Sequence, residues 1–137
     1  MNYVDNEKYK ELNTALIEEN YILANSLLIE LSNIYPDIYE IQLNLAATYR
    51  KIKNPKKALE TYMIARKIND KDSVLYFNLA NLLSEDLDNS QGAIENFLHS
   101  LKLDPDNIEC WHNLCILYMK IENFDFSNKV ADKILSM

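Results

Sequence analysis

Three asparagines recur at one place in a repeated string, and their side chains have the chemistry to bind a peptide backbone. Asn44 and Asn78 are 34 residues apart, and Asn113 follows 35 residues later. A carboxamide offers donors and an acceptor, so a row of them can hydrogen-bond an extended chain whatever side chains that chain carries. Alternatively, each amide bonds water or a neighbouring helix. The residue types and spacing leave both interpretations open.

A second group of residues could coordinate a metal ion. His112 and Cys115 are three residues apart, and Cys110 is close by; this spacing would bring them together on a helix. Cys115 nevertheless aligns with Ala46 and Ala80 in similar strings of the sequence, so we expect it to act as a small apolar side chain. The acidic stretch from Glu85 resembles the start of a calcium loop without its closing glutamate. We therefore expect a solvated loop there, no metal and no cofactor.

Composition excludes several classes of protein. The chain has 137 residues, a single glycine and a net charge of −7. Glycine-rich phosphate loops and nucleic-acid binding are thereby disfavoured. No apolar stretch is long enough for membrane insertion, and two cysteines make no disulfide framework. We expect a cytoplasmic protein and, because no nucleophile and base share a motif, one that is not an enzyme.

The sequence repeats with a period near 34 residues. The strings that start at Leu43, Phe77 and His112 align, and Ala24, Ala58 and Ala93 form a second aligned set. These registers predict a single domain, 1–137, made of the four repeats 5–38, 39–72, 73–107 and 108–137. Apolar residues at helical spacing predict two helices in each repeat. The third repeat has one extra residue, which we place in the loop Asp86–Asn89.

This pattern resembles the tetratricopeptide repeat (TPR) family. The resemblance rests on large, leucine, small and aromatic residues at fixed offsets, for example Trp111, Leu114, Ala58 and Tyr62. It implies an all-α fold, a right-handed α-solenoid of about four helix-turn-helix repeats. The first helix of the first repeat departs from the pattern, as an N-terminal capping repeat would.

In this family the first helices of successive repeats line a concave groove that binds protein segments. The resemblance therefore implies a non-catalytic interaction module or adaptor whose partner is an extended or helical protein segment. Lysine and arginine in the groove would favour acidic partner residues, and apolar groups would pack its side chains. The expected groove residues are Tyr9, Asn13, Leu43, Asn44, Arg50, Lys51, Phe77, Asn78, Asn81, His112, Asn113 and Lys120.

Some relatives clamp the terminal carboxylates of heat-shock chaperones with three basic residues and two asparagines. This sequence has Asn13 and Asn44 but carries Tyr9, Val74 and Asn78 at the three basic positions. We expect no binding of chaperone tails, since the charged donors are missing. The alternatives are a secretion-type chaperone or co-chaperone that holds a client, and a structural subunit with an unused groove. The last helix pair, which lacks a polar cap, could also contact a partner or a second copy.

Overall fold

The described part of the chain forms eight α-helices in four pairs. The computed structural model describes the backbone of residues 3–137 and the side chains of residues 6–137. Within these residues there is no strand. The helices are α1 (Tyr3–Ile17), α2 (Tyr21–Ile34), α3 (Tyr39–Lys51), α4 (Pro55–Ile68), α5 (Ser73–Asn81), α6 (Ser90–Leu103), α7 (Ile108–Lys120) and α8 (Phe124–Leu135). The predicted all-α class of paired helices is confirmed.

The helices are grouped into two compact units, Met1–Asp70 and Lys71–Met137. In the first unit α1 packs on α2, α2 on α3, and α3 on α4. In the second unit α5 packs on α6, α6 on α7, and α7 on α8. Each unit therefore contains two helix pairs, and the second helix of one pair packs on the first helix of the next.

Small residues allow close helix packing within both units. Ala24, Ala58 and Ala93 have no solvent-exposed surface, and Ser127 stands at the same repeat position with 5% exposure. A larger side chain at these positions would force the helices of a pair apart. Around Ala24, the core of the first unit includes Leu28 on α2, which is also fully buried.

The same type of turn connects the two helices in each of the four pairs. An asparagine caps the second helix each time: its Oδ1 accepts a hydrogen bond from the backbone N–H three residues later. The residue before it has a positive φ of 49–64°, a region that few residues other than glycine adopt. The capping asparagines are Asn20, Asn54, Asn89 and Asn123.

The extra residue of the third repeat lies in a helix rather than in a loop. A π-helical segment, Leu82–Asp86, continues α5, and the shared turn follows it with Asp88 at positive φ. The Asn89 N–H donates to the carbonyl of Leu83, six residues earlier, whereas the Asn54 N–H donates to the carbonyl of Tyr49, five residues earlier. The predicted position of the insertion, Asp86–Asn89, was wrong, because the turn keeps its geometry and the helix widens instead.

Candidate functional site

A cavity of about 180 Å³ opens between α5, the π-helical segment and α7 in the second unit. It is the structural feature that brings several predicted groove residues together. Apolar side chains, including the buried Phe97 and Leu117, form part of its wall, and polar side chains complete it. The lining residues are Asn81, Ser84, Glu85, Phe97, Asn113, Ile116, Leu117 and Lys120.

Two of the predicted asparagines form a pair in this cavity. The Asn113 side-chain N–H donates to Oδ1 of Asn81 over 3.0 Å. Both side chains are half-buried. Because a carboxamide has two N–H donors and an oxygen with two lone pairs, each amide keeps the capacity for further hydrogen bonds. The bond therefore fixes the orientation of two groups that can both donate and accept.

The π-helical segment contributes polar residues to the same cavity. Ser84 and Glu85 lie within the segment, and Lys120 lines the cavity from the last turn of α7. A carboxylate from the π-helical segment and an ammonium group from α7 make the lining polar without a large net charge. Ile116, 61% exposed, adds an apolar surface beside them.

The other groove residues predicted in the second unit differ in their exposure. Phe77 is half-buried and its ring centroid lies 6.3 Å from that of Phe97. Asn78 is half-buried, and His112 is exposed. Phe77 therefore packs partly on the interior of its own unit, while His112 presents its imidazole to solvent.

The groove residues predicted in the first unit also differ in their exposure to solvent. Tyr9 packs against the core of that unit. Lys51 is exposed, and its Nζ lies 5.5 Å from the centroid of the Tyr21 ring, so it stands near the α1–α2 turn. Asn13 and Asn44 are exposed, and Leu43 and Arg50 are half-buried.

The two cysteines lie in different surroundings, and both are free thiols. Cys110 is fully buried, with its Sγ 3.6 Å from the Phe97 carbonyl oxygen. Burial raises the pKa of the Cys110 thiol to about 11. Cys115 Sγ lies 3.5 Å from both the carbonyl and the hydroxyl oxygen of Ser127. Among the side chains that the structure describes, no three His, Cys, Asp or Glu residues converge to hold a metal ion.

Two further structural features could have been predicted from the sequence: the asparagine caps of the helices and the hydrogen bonds to proline carbonyls. The capping asparagines follow the repeat spacing, so alignment of the repeats alone would have predicted all four caps. Gln42 and Trp111 occupy the same repeat position, and each donates a hydrogen bond to the carbonyl of a proline six residues earlier. By contrast, the Asn81–Asn113 pair has no local sequence signal, because it joins two different repeats.

One segment of the chain matches a known protein family. Residues 74–107 match the family model of the tetratricopeptide repeat. The resemblance found in the sequence is thus confirmed for this segment, which holds α5, the π-helical segment and α6.

Solved structures of tetratricopeptide-repeat proteins have the same fold. MamA from Desulfovibrio magneticus RS-1 is 17% identical, with a TM-score of 0.89 over 96% of this chain and 74% of its own. YrrB, described as a protein with an unusual peptide-binding site, is 21% identical, with a TM-score of 0.82 over 94% of this chain and 66% of its own. The first repeat domain of RPAP3, solved with the HSP90 peptide SRMEEVD, is 17% identical, with a TM-score of 0.79 over 86% and 93%.

A longer protein also matches at the level of sequence. Mouse protein O-mannosyl-transferase TMTC3 is 22% identical over 77% of this chain. The matched part is only 17% of the length of TMTC3. In the part of the chain that the structure describes, no helix is long and apolar enough to cross a membrane.

Proposed function

We propose that this chain is a non-catalytic adaptor that binds a segment of another protein, and that the cavity between α5 and α7 is part of the binding surface. The observation that carries the proposal is the amide pair of Asn113 and Asn81 at the cavity wall. Two oriented carboxamides provide donors and acceptors that suit the N–H and C=O groups of a peptide backbone.

The other lining groups support a peptide rather than a small charged metabolite. Ile116 and the buried ring of Phe97 offer apolar contact to a partner side chain. Lys120 and Glu85 have opposite charges, so the site favours no strongly charged ligand. The cavity is also too small to enclose a whole ligand of drug size, for which pockets of roughly 300–1,000 Å³ are usual. A chain that lies across it and inserts one side chain fits better.

The solved relatives support the same function. RPAP3 was solved with a bound peptide, and YrrB is described as having a peptide-binding site. Both share the fold of this chain. We extend to this chain only the binding of a protein segment, without the partner sequences of these relatives. We also propose a cytoplasmic location for it.

Selection from a random peptide library displayed on phage provides the test. Peptides enriched on the native chain are synthesised, and their affinities are measured by fluorescence anisotropy for the native chain and for Asn113→Ala. We expect the variant to bind about tenfold more weakly, because one amide is lost and the other is no longer oriented.

Asn128→Ala is the matched control, since Asn128 is an exposed asparagine on α8 of the same unit. It should bind the selected peptides as the native chain does. Equal affinities of the native chain and Asn113→Ala for every enriched peptide would show that the cavity is not the binding surface.

A further inference from the structure

Positive charge is concentrated in one segment of this acidic chain. Residues 39–68 carry seven basic and two acidic side chains, a net charge of +5, whereas the rest of the chain carries seven basic and 19 acidic side chains, a net charge of −12. Five of the basic residues lie within residues 50–57, where there is no acidic residue. This stretch contains the end of α3, the turn and the start of α4.

Four lysines of this stretch have exposed side chains. We name them the basic edge: Lys51, Lys53, Lys56 and Lys57. Their like charges lie close together along the chain. Lys56 and Lys57 lie in the first turn of α4, where positive charge is unfavourable to the helix, so these two lysines do not serve its stability. A local excess of one charge attracts a partner of the opposite charge and speeds its association.

A cavity adjoins the basic edge. It has a volume of about 390 Å³ and lies between the α1–α2 turn and the α3–α4 turn of the first unit. Tyr21 and Ile52 are half-buried in its wall, and Ile22 is 77% exposed beside them. Lys51 lies over the Tyr21 ring, so positive charge and apolar surface meet at the same place.

We propose that this cavity and the basic edge form a second docking surface, which binds an acidic peptide segment through one large apolar side chain. The apolar side chain enters the cavity against Tyr21 and Ile22. Acidic residues on the same segment lie along the exposed lysines and form ion pairs with them. Each exposed pair contributes little by itself, so several pairs and the apolar contact act together.

The geometry favours a peptide over other anionic partners. A flat anionic bilayer would leave the cavity unfilled, and it could not avoid Glu19, which lines the cavity. A peptide can place its acidic residues along the lysines and only its apolar side chain near Glu19. A long nucleic acid would extend beyond the basic edge and meet the acidic remainder of the chain, whose net charge is −12. A short peptide can contact the lysines alone.

The test uses a fluorescein-labelled peptide in which aspartates and glutamates flank a single tryptophan. Fluorescence anisotropy at about 0.15 M salt measures its affinity for the chain. We expect saturable binding that is about tenfold weaker in the double variant Lys51→Glu/Lys53→Glu. Ile22→Ser should weaken it several-fold through the lost apolar contact, and both variants should keep the native circular dichroism spectrum.

Lys129→Glu/Lys133→Glu is the matched control because it changes the net charge equally on α8 of the other unit. It should leave the affinity unchanged. Equal weakening by both double variants would overturn the proposal in favour of a general charge effect. So would equal binding of a peptide with serine in place of tryptophan, since the cavity would then have no role.

Two further measurements separate this surface from other partners and from the α5–α7 cavity. Co-sedimentation with vesicles of phosphatidylcholine and phosphatidylserine should fail; binding to the vesicles without binding to the peptide would assign the surface to membranes instead. Asn113→Ala should bind the acidic peptide as the native chain does. Failure of the two proposals is thereby distinguishable, because each has its own variants and probe.

Discussion

The Trp111 indole N–H donates a hydrogen bond to the Pro105 carbonyl oxygen over 2.8 Å. In the first unit, Gln42 makes the same bond with a different side chain: its Nε2 lies 2.9 Å from the Pro36 carbonyl oxygen. Both bonds join the first turns of a helix to the connection that precedes it. A proline carbonyl at this place has no helical partner, so the side chain at this repeat position satisfies it.

Replacement of Trp111 by phenylalanine should destabilise the second unit by about 1–2 kcal/mol. The substitution keeps an aromatic ring but removes the N–H that bonds Pro105. Urea unfolding followed by circular dichroism measures the change. His112→Ala, at the exposed neighbouring position, should stay within about 0.5 kcal/mol of the native chain. An unchanged unfolding midpoint for Trp111→Phe would show that the bond contributes nothing.

Glu122, the residue with positive φ between α7 and α8, should be replaceable by glycine without loss of stability, whereas a β-branched residue should destabilise the chain. Glu122 has a φ of 59°, a conformation that costs a residue with a Cβ atom roughly 1–2 kcal/mol. Glu122→Gly should be as stable as the native chain or more stable by up to about 1 kcal/mol. Glu122→Val should be less stable by about 1–2 kcal/mol. Thermal unfolding of both variants checks the order, and a valine variant as stable as the glycine variant would contradict it.

The buried thiol should make stability depend on alkaline pH. Burial raises the pKa of Cys110 from 9.0 to about 11, so the folded chain holds this proton more tightly than the unfolded chain. The stabilisation is complete below pH 9.0 and is lost as the pH rises to about 11. It amounts to on the order of 2 kcal/mol. Urea unfolding across this range measures the loss.

Cys110→Ala provides the control, because the variant has no thiol at this position to titrate. Its free energy of unfolding should fall less steeply with pH than that of the native chain. Burial also raises the pKa of Tyr118, and its contribution is present in both proteins. Parallel pH profiles for the two proteins would mean that Cys110 titrates alike in the folded and unfolded states.

The peptide SRMEEVD, seen bound to RPAP3, should not bind this chain through a carboxylate clamp. The test uses the Lys51→Glu/Lys53→Glu variant, in which the basic edge no longer attracts the acidic residues of the peptide. Tyr9, Val74 and Asn78 stand where the chaperone-binding relatives have basic residues, so charge-assisted hydrogen bonds to the terminal carboxylate cannot form. Isothermal titration calorimetry of this variant should show no saturable heat at micromolar concentrations, with the RPAP3 domain as positive control. Micromolar affinity for the variant would refute the argument from the missing basic residues.

The sequence was sufficient to predict the paired helices and their close packing. Apolar residues at helical spacing and small residues such as Ala58 at the repeat period follow directly from the burial that the fold requires. Side chains on the first helices were harder to place. Tyr9 was expected at a binding surface; it is half-buried and packs in part on the core of the first unit, because an aromatic ring on the border of a helix face can contact both core and solvent.

Two features of the candidate site could not have been predicted from the residues. Leu82 and Leu83 suit the buried side of an α-helix and of a π-helix equally, so the apolar pattern does not locate the extra residue. The bond between Asn113 and Asn81 depends on the distance between α5 and α7. That distance is set by the packing of the second unit, which no single repeat encodes.

The widened helix end at Leu82–Asp86 implies that the lining of the cavity and the helical framework can diverge separately in chains of this type. Gain of one residue there rotates Ser84 and Glu85 relative to the preceding helix, yet the following cap at Asn89 keeps the geometry of its counterparts. Insertion or deletion at this point would therefore reshape the wall of the α5–α7 cavity in one mutational step while the helical framework persists.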